Sequence, residues 1–178
     1  SRTDFDLKAH EEHSGKKLQF FDTVENKSYV PYVVETAIGL DRMFLAILSS
    51  AFTEETLDDG SQRTVLKIPA PLAPYQVAVL PLLKKEDSGL PQKAREVINE
   101  LKFDFNCQYD EKDAIGKRYR RQDAIGTPYC VTIDHQTLED NTVTIRDRDD
   151  LSQIRVSIDE VKDKLKENTS METLLRQL

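Results

Sequence analysis

Apolar residues change spacing along the chain, and the changes mark out its elements. Residues 18–21 and 32–35 are short β-prone runs, and Leu40, Phe44, Ile47, Leu48 and Ala51 fall at the spacing of one helix face, giving the order strand, Gly39, helix. Residues 53–63 are polar and acidic, and their second half keeps neither helix nor strand period, which marks a boundary. Beyond it, Pro69, Pro71 and Pro74 hold an extended entry into 76–82, a nearly continuous apolar run suited to a central strand covered on both faces. Ser88-Gly89-Leu90-Pro91 opens a helix whose stripe is Ala94, Val97, Ile98 and Leu101. Phe103, Phe105, Cys107 and Tyr109 alternate with polar residues and predict a strand with one wet face. Residues 113–126 read as a second helix, followed by strands at 128–134, 142–146 and 154–158. Ser157 to Glu160 has the form of a capping box, opening a helix that turns Ile158, Val161 and Leu165 inward. A short last helix carries Met171, Leu174, Leu175 and Leu178.

Two strand-helix-strand units argue for parallel pairing, while Asp140-Asn141 between close strands argues for a hairpin and one antiparallel strand. The predicted fold is α/β: a mixed, mostly parallel five-stranded sheet with flanking helices. The first 50 or so residues, two strands and a helix, are too few to close a core. They are expected to end a larger antiparallel α+β domain. The expected organisation is 1–52 as that piece, 53–68 as an acidic linker and 69–178 as the second domain.

Charge narrows the function classes. The 178 residues include 25 Lys plus Arg against 32 Asp plus Glu, a net charge of −7, which excludes a uniformly basic nucleic-acid coat and leaves room for a local patch. No apolar run approaches the ~20 residues that cross a bilayer, so no membrane is expected. Cys107 and Cys130 stand singly without a CxxC, and two thiols cannot fill a zinc shell, so a reducing cytoplasm and no metal site are expected. There is no GxSxG, GxGxxG or GxxxxGK[ST]. The histidines of His10-Glu11-Glu12-His13 are three apart rather than four, which fits a solvated helix face better than a metalloprotease pair.

Two constellations carry chemistry. Around Gly39, Glu35 ends a strand, the glycine permits a sharp turn, and Arg42 enters an apolar helix where its guanidinium can meet an anion or simply pair with Glu35. On the predicted second helix, Lys117, Arg118, Arg120 and Arg121 lie opposite Ile115 and Tyr119, forming either a solvated basic face or a contact for an RNA backbone. Strand alternation puts Arg146 and Arg148 on the side of Thr142 and Thr144, with Asp147 and Asp149 on the other.

Gly39-Leu40-Asp41-Arg42 followed by Met43 to Leu48 resembles motif 3 of the class II aminoacyl-tRNA synthetases. Together with Arg2 to His10, Ser14 to Leu18 and Glu35 to Arg42, the text is similar to the homodimeric glycyl-tRNA synthetases. The likeness continues through Ile68-Pro69-Ala70-Pro71, Tyr75 to Pro81, Ile115 to Tyr119, Asp123 to Pro128, Arg146 to Asp149, Gln153 and Arg155, which match that family's anticodon-binding domain. The resemblance implies that Arg42 contacts the adenine and terminal phosphate of ATP, that Glu35 helps hold the ammonium of glycine, and that Glu35, Gly39 and Arg42 line the nucleotide site. It implies ATP with Mg2+ as substrate, glycine and tRNA(Gly) as partners, a homodimer and no DNA. Contacts to tRNA are expected from Lys117, Arg118, Arg120, Arg121, Arg146, Asp147, Arg148 and Asp149, since the paired cytosines ending glycine anticodons suit carboxylate and guanidinium readers. One departure is Glu35-Thr36-Ala37 where relatives commonly read Glu-Pro-Ser. Motifs 1 and 2 are not in this sequence, so the chain alone is expected not to activate glycine. The rival expectation is a non-catalytic accessory protein of synthetase ancestry, such as a polymerase accessory subunit.

Overall fold

A computed structural model describes residues 2–177, which fall into two compact units parting between Met43 and Phe44. In the first unit, α1 (Phe5–Ser14) stops at Gly15 in the left-handed conformation, and β1 (Phe20–Asp22) pairs antiparallel with β2 (Lys27–Tyr29). The Asp22 carboxylate closes this hairpin by accepting from the backbone of Val24 and Glu25. The strand expected at 32–35 is absent: residues 30–39 have no regular structure, and Val33 donates its N–H to the Thr3 carbonyl. α2 (Leu40–Ala51) forms as predicted, but Leu40, Phe44 and Leu45 are all more than 60% exposed, so its apolar surface goes largely uncovered.

The expected linker is instead a hairpin. β3 (Phe52–Thr56) follows α2 directly and pairs antiparallel with β4 (Gln62–Leu66) around a turn in which Gly60 adopts a φ of 78°. Charge hid the strand period here, because the inward positions of β4 are Arg63 and Val65 and only one of them is apolar. The boundary therefore moves from the 53–68 stretch to within α2, and the hairpin belongs to the second unit.

The rest of that unit is β5 (Val77–Pro81), α3 (Leu90–Leu101), β6 (Cys107–Tyr109), α4 (Ile115–Ile125), β7 (Tyr129–Ile133), α5 (His135–Asp140), β8 (Thr142–Asp147), β9 (Gln153–Ser157), α6 (Ile158–Thr169) and α7 (Met171–Arg176). The five strands lie in the order β6-β5-β7-β8-β9; β5 pairs parallel with β6 and β7, and β8 pairs antiparallel with both its neighbours, so it alone runs against the others. This is the mixed, mostly parallel sheet expected from the sequence.

Every residue of β5 is buried, as its apolar run requires. Val77 and Val79 face the main core with Leu90, Ala94 and Val97 of α3, Val131, Ile133, Val143 and Ile145 of the sheet, and Val161 and Leu165 of α6. Ala78, Leu80 and Cys130 face the other way, against Ile115 and Tyr119 of α4. Three elements depart from expectation. β6 is only three residues long, because Phe105 and Asp104 donate to the Leu101 carbonyl and continue α3 as a turn, burying Phe105 and leaving Phe103 outside. α5 was missed: Asp134 and Thr137 form a capping box with threonine in place of the usual Glu or Gln, and Asn141, at φ 55°, ends the helix where a hairpin turn was expected. The box expected at Ser157 does not close, since that side chain makes no capping hydrogen bond.

α4 ends at Gly126, whose φ is 89°, and a Cβ there would meet Ile68 Cγ2 at 2.8 Å and the Leu66 carbonyl oxygen at 3.1 Å. Two costs therefore add, the left-handed backbone at about 1 kcal/mol and overpacking at about 1–3 kcal/mol. Gly126→Ala should lower unfolding free energy by about 2–4 kcal/mol, read from the urea midpoint at unchanged slope.

Candidate functional site

Glu35, Gly39 and Arg42 are all exposed. Glu35 lines a concavity of about 200 Å³ with Arg2, Asp6, Val33 and Ala37, and Arg42 is not among its lining residues. Among the described residues no ion pair joins Glu35 to Arg42, so the junction is not held by that pair. Nor does Gly39 supply a left-handed bend: a Cβ there would meet only the Arg42 side chain, at 3.8 Å.

The second constellation resolves into an inside and an outside. Arg118 is 2% exposed, and its guanidinium donates to the carbonyls of Pro81, Lys112 and Asp113, tying α4 to the end of β5. Arg146 is buried over the Tyr119 ring, its Cζ 4.8 Å from the centroid, and donates two parallel bonds of 2.8 and 2.9 Å to the Asp123 carboxylate. Burial opposes the Arg146 charge, yet the Asp123 carboxylate outweighs it and raises its pKa. Arg148, also buried, donates through Nη1 to the carbonyls of Leu66, Ile68 and Gly126 and pairs with Asp149. These three arginines, expected at a tRNA surface, are corrected to the interior, because each spends its donors on backbone carbonyls or a carboxylate of the fold. A count of positive charges could not separate them from surface cations.

On the outside, Arg120 is exposed and donates to Gln62 O and Ser61 Oγ, while Arg121 pairs with Asp110 and Asp113. Lys117 is exposed, and its side chain makes no hydrogen bond or ion pair among the described residues. Asp147 is half-buried and accepts the Asp149 N–H, and Asp149 is exposed.

The α4 side of the sheet ends in a polar strip. α4 reaches β5 and β7, while α6 packs on the opposite side; over β8 and β9 this face carries Thr144 opposite Arg155, Thr142 opposite Ser157 and Arg146 opposite Gln153. Apart from Arg146 these side chains are partly or fully exposed. Arg155 organises the strip, donating to both Asp134 oxygens at 2.5 and 2.9 Å and to the hydroxyls of Thr142 and Thr144 at 2.7 and 3.3 Å. The strip was legible only as the polar positions of an alternating strand, and its link to Asp134 was not. The thiols take no part, since burial pushes Cys107 up to about 11 and Cys130 up to about 12.

Residues 76–168, just over half of the chain, match the anticodon binding domain family. The chain belongs to that family. The matched residues run from just before β5 to within α6, and so take in the whole five-stranded sheet. The chain is similar to glycine--tRNA ligases: 56% identical over 160 residues to that of Clostridium tetani, covering 90% of this chain and 34% of that protein. The ligase of Clostridium acetobutylicum is 52% identical over 166 residues, covering 93% and 35%, and that of Chlorobaculum tepidum is 50% identical, covering 89% and 33%. The chain thus spans about a third of the length of these relatives. Among solved structures it resembles the RNA binding domain of threonyl-tRNA synthetase from Cryptosporidium parvum, with a TM-score of 0.51 and 26% identity, covering 57% of this chain and 25% of that one.

The Arg155 fork holds the Asp134 carboxyl below its ordinary value of 3.8, with burial opposing. A depressed carboxyl stabilises the fold in full above its unfolded-state pKa, and the contribution is lost as pH falls through the lower folded-state value. Asp134→Asn should therefore lose about 1–2 kcal/mol at neutral pH, and its urea midpoint should converge on that of the parent protein as acid protonates Asp134 below its ordinary value of 3.8.

Proposed function

We propose that this chain forms the motif 3 and anticodon-binding parts of a glycine–tRNA ligase, which joins glycine to AMP from ATP and passes the glycyl group to the terminal ribose of tRNA(Gly). The observation that carries the reading is the reach of the similarity. So little of the chain lies outside a 166-residue match at 52% identity to such a ligase that Glu35, Gly39 and Arg42 fall within it along with the anticodon-binding sheet. The uncovered apolar surface of α2 supports the same reading, because the remaining two thirds of such a protein would supply its cover.

In that setting the planar Arg42 guanidinium would stack on adenine and pair with phosphate, a task for a permanently charged fork. The Glu35 carboxylate, once the rest of such a ligase enclosed it in a pocket without room for a larger amino acid, would select the glycine ammonium. Among the described residues no three acidic, histidine or cysteine side chains converge as metal ligands. On the tRNA side, Lys117, with Arg120 and Arg121 nearby, would meet backbone phosphate. The strip of Thr142, Thr144, Gln153 and Arg155 would meet base edges, with Asp147 and Asp149 available where β8 ends. A homodimer and a cytoplasmic location belong to the same proposal; no helix among the described residues is long and apolar enough to cross a membrane.

Arg42→Ala in the full-length enzyme should abolish glycine-dependent pyrophosphate exchange, and near-normal exchange would remove Arg42 from the nucleotide site. Lys117→Ala should weaken tRNA binding by about two- to tenfold and flatten the dependence of log affinity on log salt by about 0.7, with exchange unchanged.

A further inference from the structure

Asp59 is the one aspartate in the chain followed by glycine, and no asparagine is. The pair stands at the tip of the β3–β4 hairpin, with both residues exposed. Leu57 closes the loop by donating its N–H to the Ser61 carbonyl at 2.8 Å, and Gly60 donates its own to the Leu57 carbonyl at 2.8 Å. The Asp59 side chain folds back on this backbone, its Oδ1 accepting the Ser61 N–H at 2.9 Å. The hydrogen-bonded ring so formed contains the Gly60 nitrogen, so the carboxyl group is kept beside it. Gly60 has a φ of 78°, and a Cβ there would meet nothing within 4 Å, so no neighbour crowds the glycine. Asp87, which precedes serine, makes the contrast: both the N–H and the hydroxyl of Ser88 are tied to the Lys85 carbonyl.

From this geometry we propose that Asp59 is a site of spontaneous covalent modification, where its link to Gly60 converts through a succinimide to isoaspartate. The tip of a hairpin opens locally at small cost, which frees the Gly60 nitrogen from the Leu57 carbonyl. That nitrogen then bonds to the Asp59 side-chain carboxyl carbon, and its proton leaves with the carboxyl hydroxyl as water. Water next adds to either ring carbonyl. Breaking the new C–N bond restores aspartate; breaking the original one leaves the chain running through Cβ, with the former backbone carbonyl as a free carboxylate. The main chain has then gained one carbon inside a loop whose closing bonds fit the shorter path. Arg120 of α4 donates to Ser61 Oγ at 2.8 Å and to the Gln62 carbonyl at 3.0 Å just beyond it, so the change also loosens this tie between helix and hairpin. The site does not depend on the ligase reading.

The test holds the protein at physiological temperature and neutral pH for several weeks in water labelled with heavy oxygen, followed by digestion in ordinary water and weighing of the peptides. The parent is compared with Asp59→Glu, whose longer side chain cannot close the same ring, and with Asp59→Asn, which closes it with loss of ammonia. Label should enter at Asp59 about fivefold or more faster than at Asp87, because glycine alone lets its nitrogen approach freely. It should be missing at this position in Asp59→Glu, and Asp59→Asn should accumulate isoaspartate severalfold faster than the parent. The labelled parent peptide should also accept a methyl group from S-adenosylmethionine in the presence of an isoaspartyl O-methyltransferase. Equal labelling at Asp59 and Asp87, labelling that persists in Asp59→Glu, or label without isoaspartate overturns the proposal. The isoaspartyl fraction should unfold at a lower urea midpoint than fresh protein, and an unchanged midpoint overturns the loosening of the Arg120 tie.

Discussion

The Asp123 carboxylate is 1% exposed and is shared by the guanidinium groups of Arg63 and Arg146. Desolvating three charges is costly, and only pairing as complete as this, with Arg146 bidentate and Arg63 further bonded to Glu55 and a carbonyl, offsets it. The hub decides where the major pieces go. Asp123 lies on α4, Arg146 on β8 and Arg63 on β4, so a helix, the sheet and the hairpin are fixed to one another at a point where apolar packing is thin. The cluster on that side is only Ala78, Leu80 and Cys130 with Ile115 and Tyr119, against thirteen buried residues on the α3 side. Polar pairing supplies on the α4 side what hydrophobic burial supplies on the other.

That division explains what the sequence revealed and what it concealed. The α3 side is built from apolar residues at regular periods, so β5, α3, β7, β8, β9 and α6 could be read from spacing. The α4 side is built from arginines, aspartates and threonines, which in a linear text look like solvent-facing residues. Hence the hairpin at 52–66 was read as a linker, and Arg118, Arg146 and Arg148 as an RNA surface. Charge density along a helix reports nothing about partners that arrive from 60 to 85 positions away, as Asp123 does for Arg63 and the Arg148 carbonyl does for Arg63. The short helix α5 escaped for a local reason: its capping box uses Thr137, and six residues are too few for a periodic signal.

The same accounting reshapes the candidate interface. Four cations on α4 suggested an electrostatic grip on RNA, but Arg118 is spent inside, Arg121 is neutralised by two aspartates and Arg120 is engaged with the hairpin. A net charge of −7 is thus not offset by a strong local patch. Under the proposed function, binding through this unit would lean less on phosphate attraction and more on groups held ready in place. The Arg155 strip has that character, its guanidinium fixed by Asp134 and two threonines, so little side-chain entropy would remain to be lost if a base edge docked there.

The two units also differ in how far they satisfy themselves. The second closes a core around β5, and its buried charges are paired or, for Arg118, held by backbone carbonyls. In the first, α1 buries no residue, β1 and β2 pair only with each other, and the start of α2 presents Leu40 outward. Exposed apolar area on that scale is destabilising in water at roughly 25 cal/mol per Å², so these residues call for cover from elsewhere. For the concavity beside Glu35 the consequence is direct. Arg2 and Asp6 pair with each other at 3.2 Å across an open surface, where water screens them. The same carboxylate that is an ordinary surface group there would, once covered, become a strong and selective receptor for a small cation, because the energy of a charge pair rises steeply as solvent is removed.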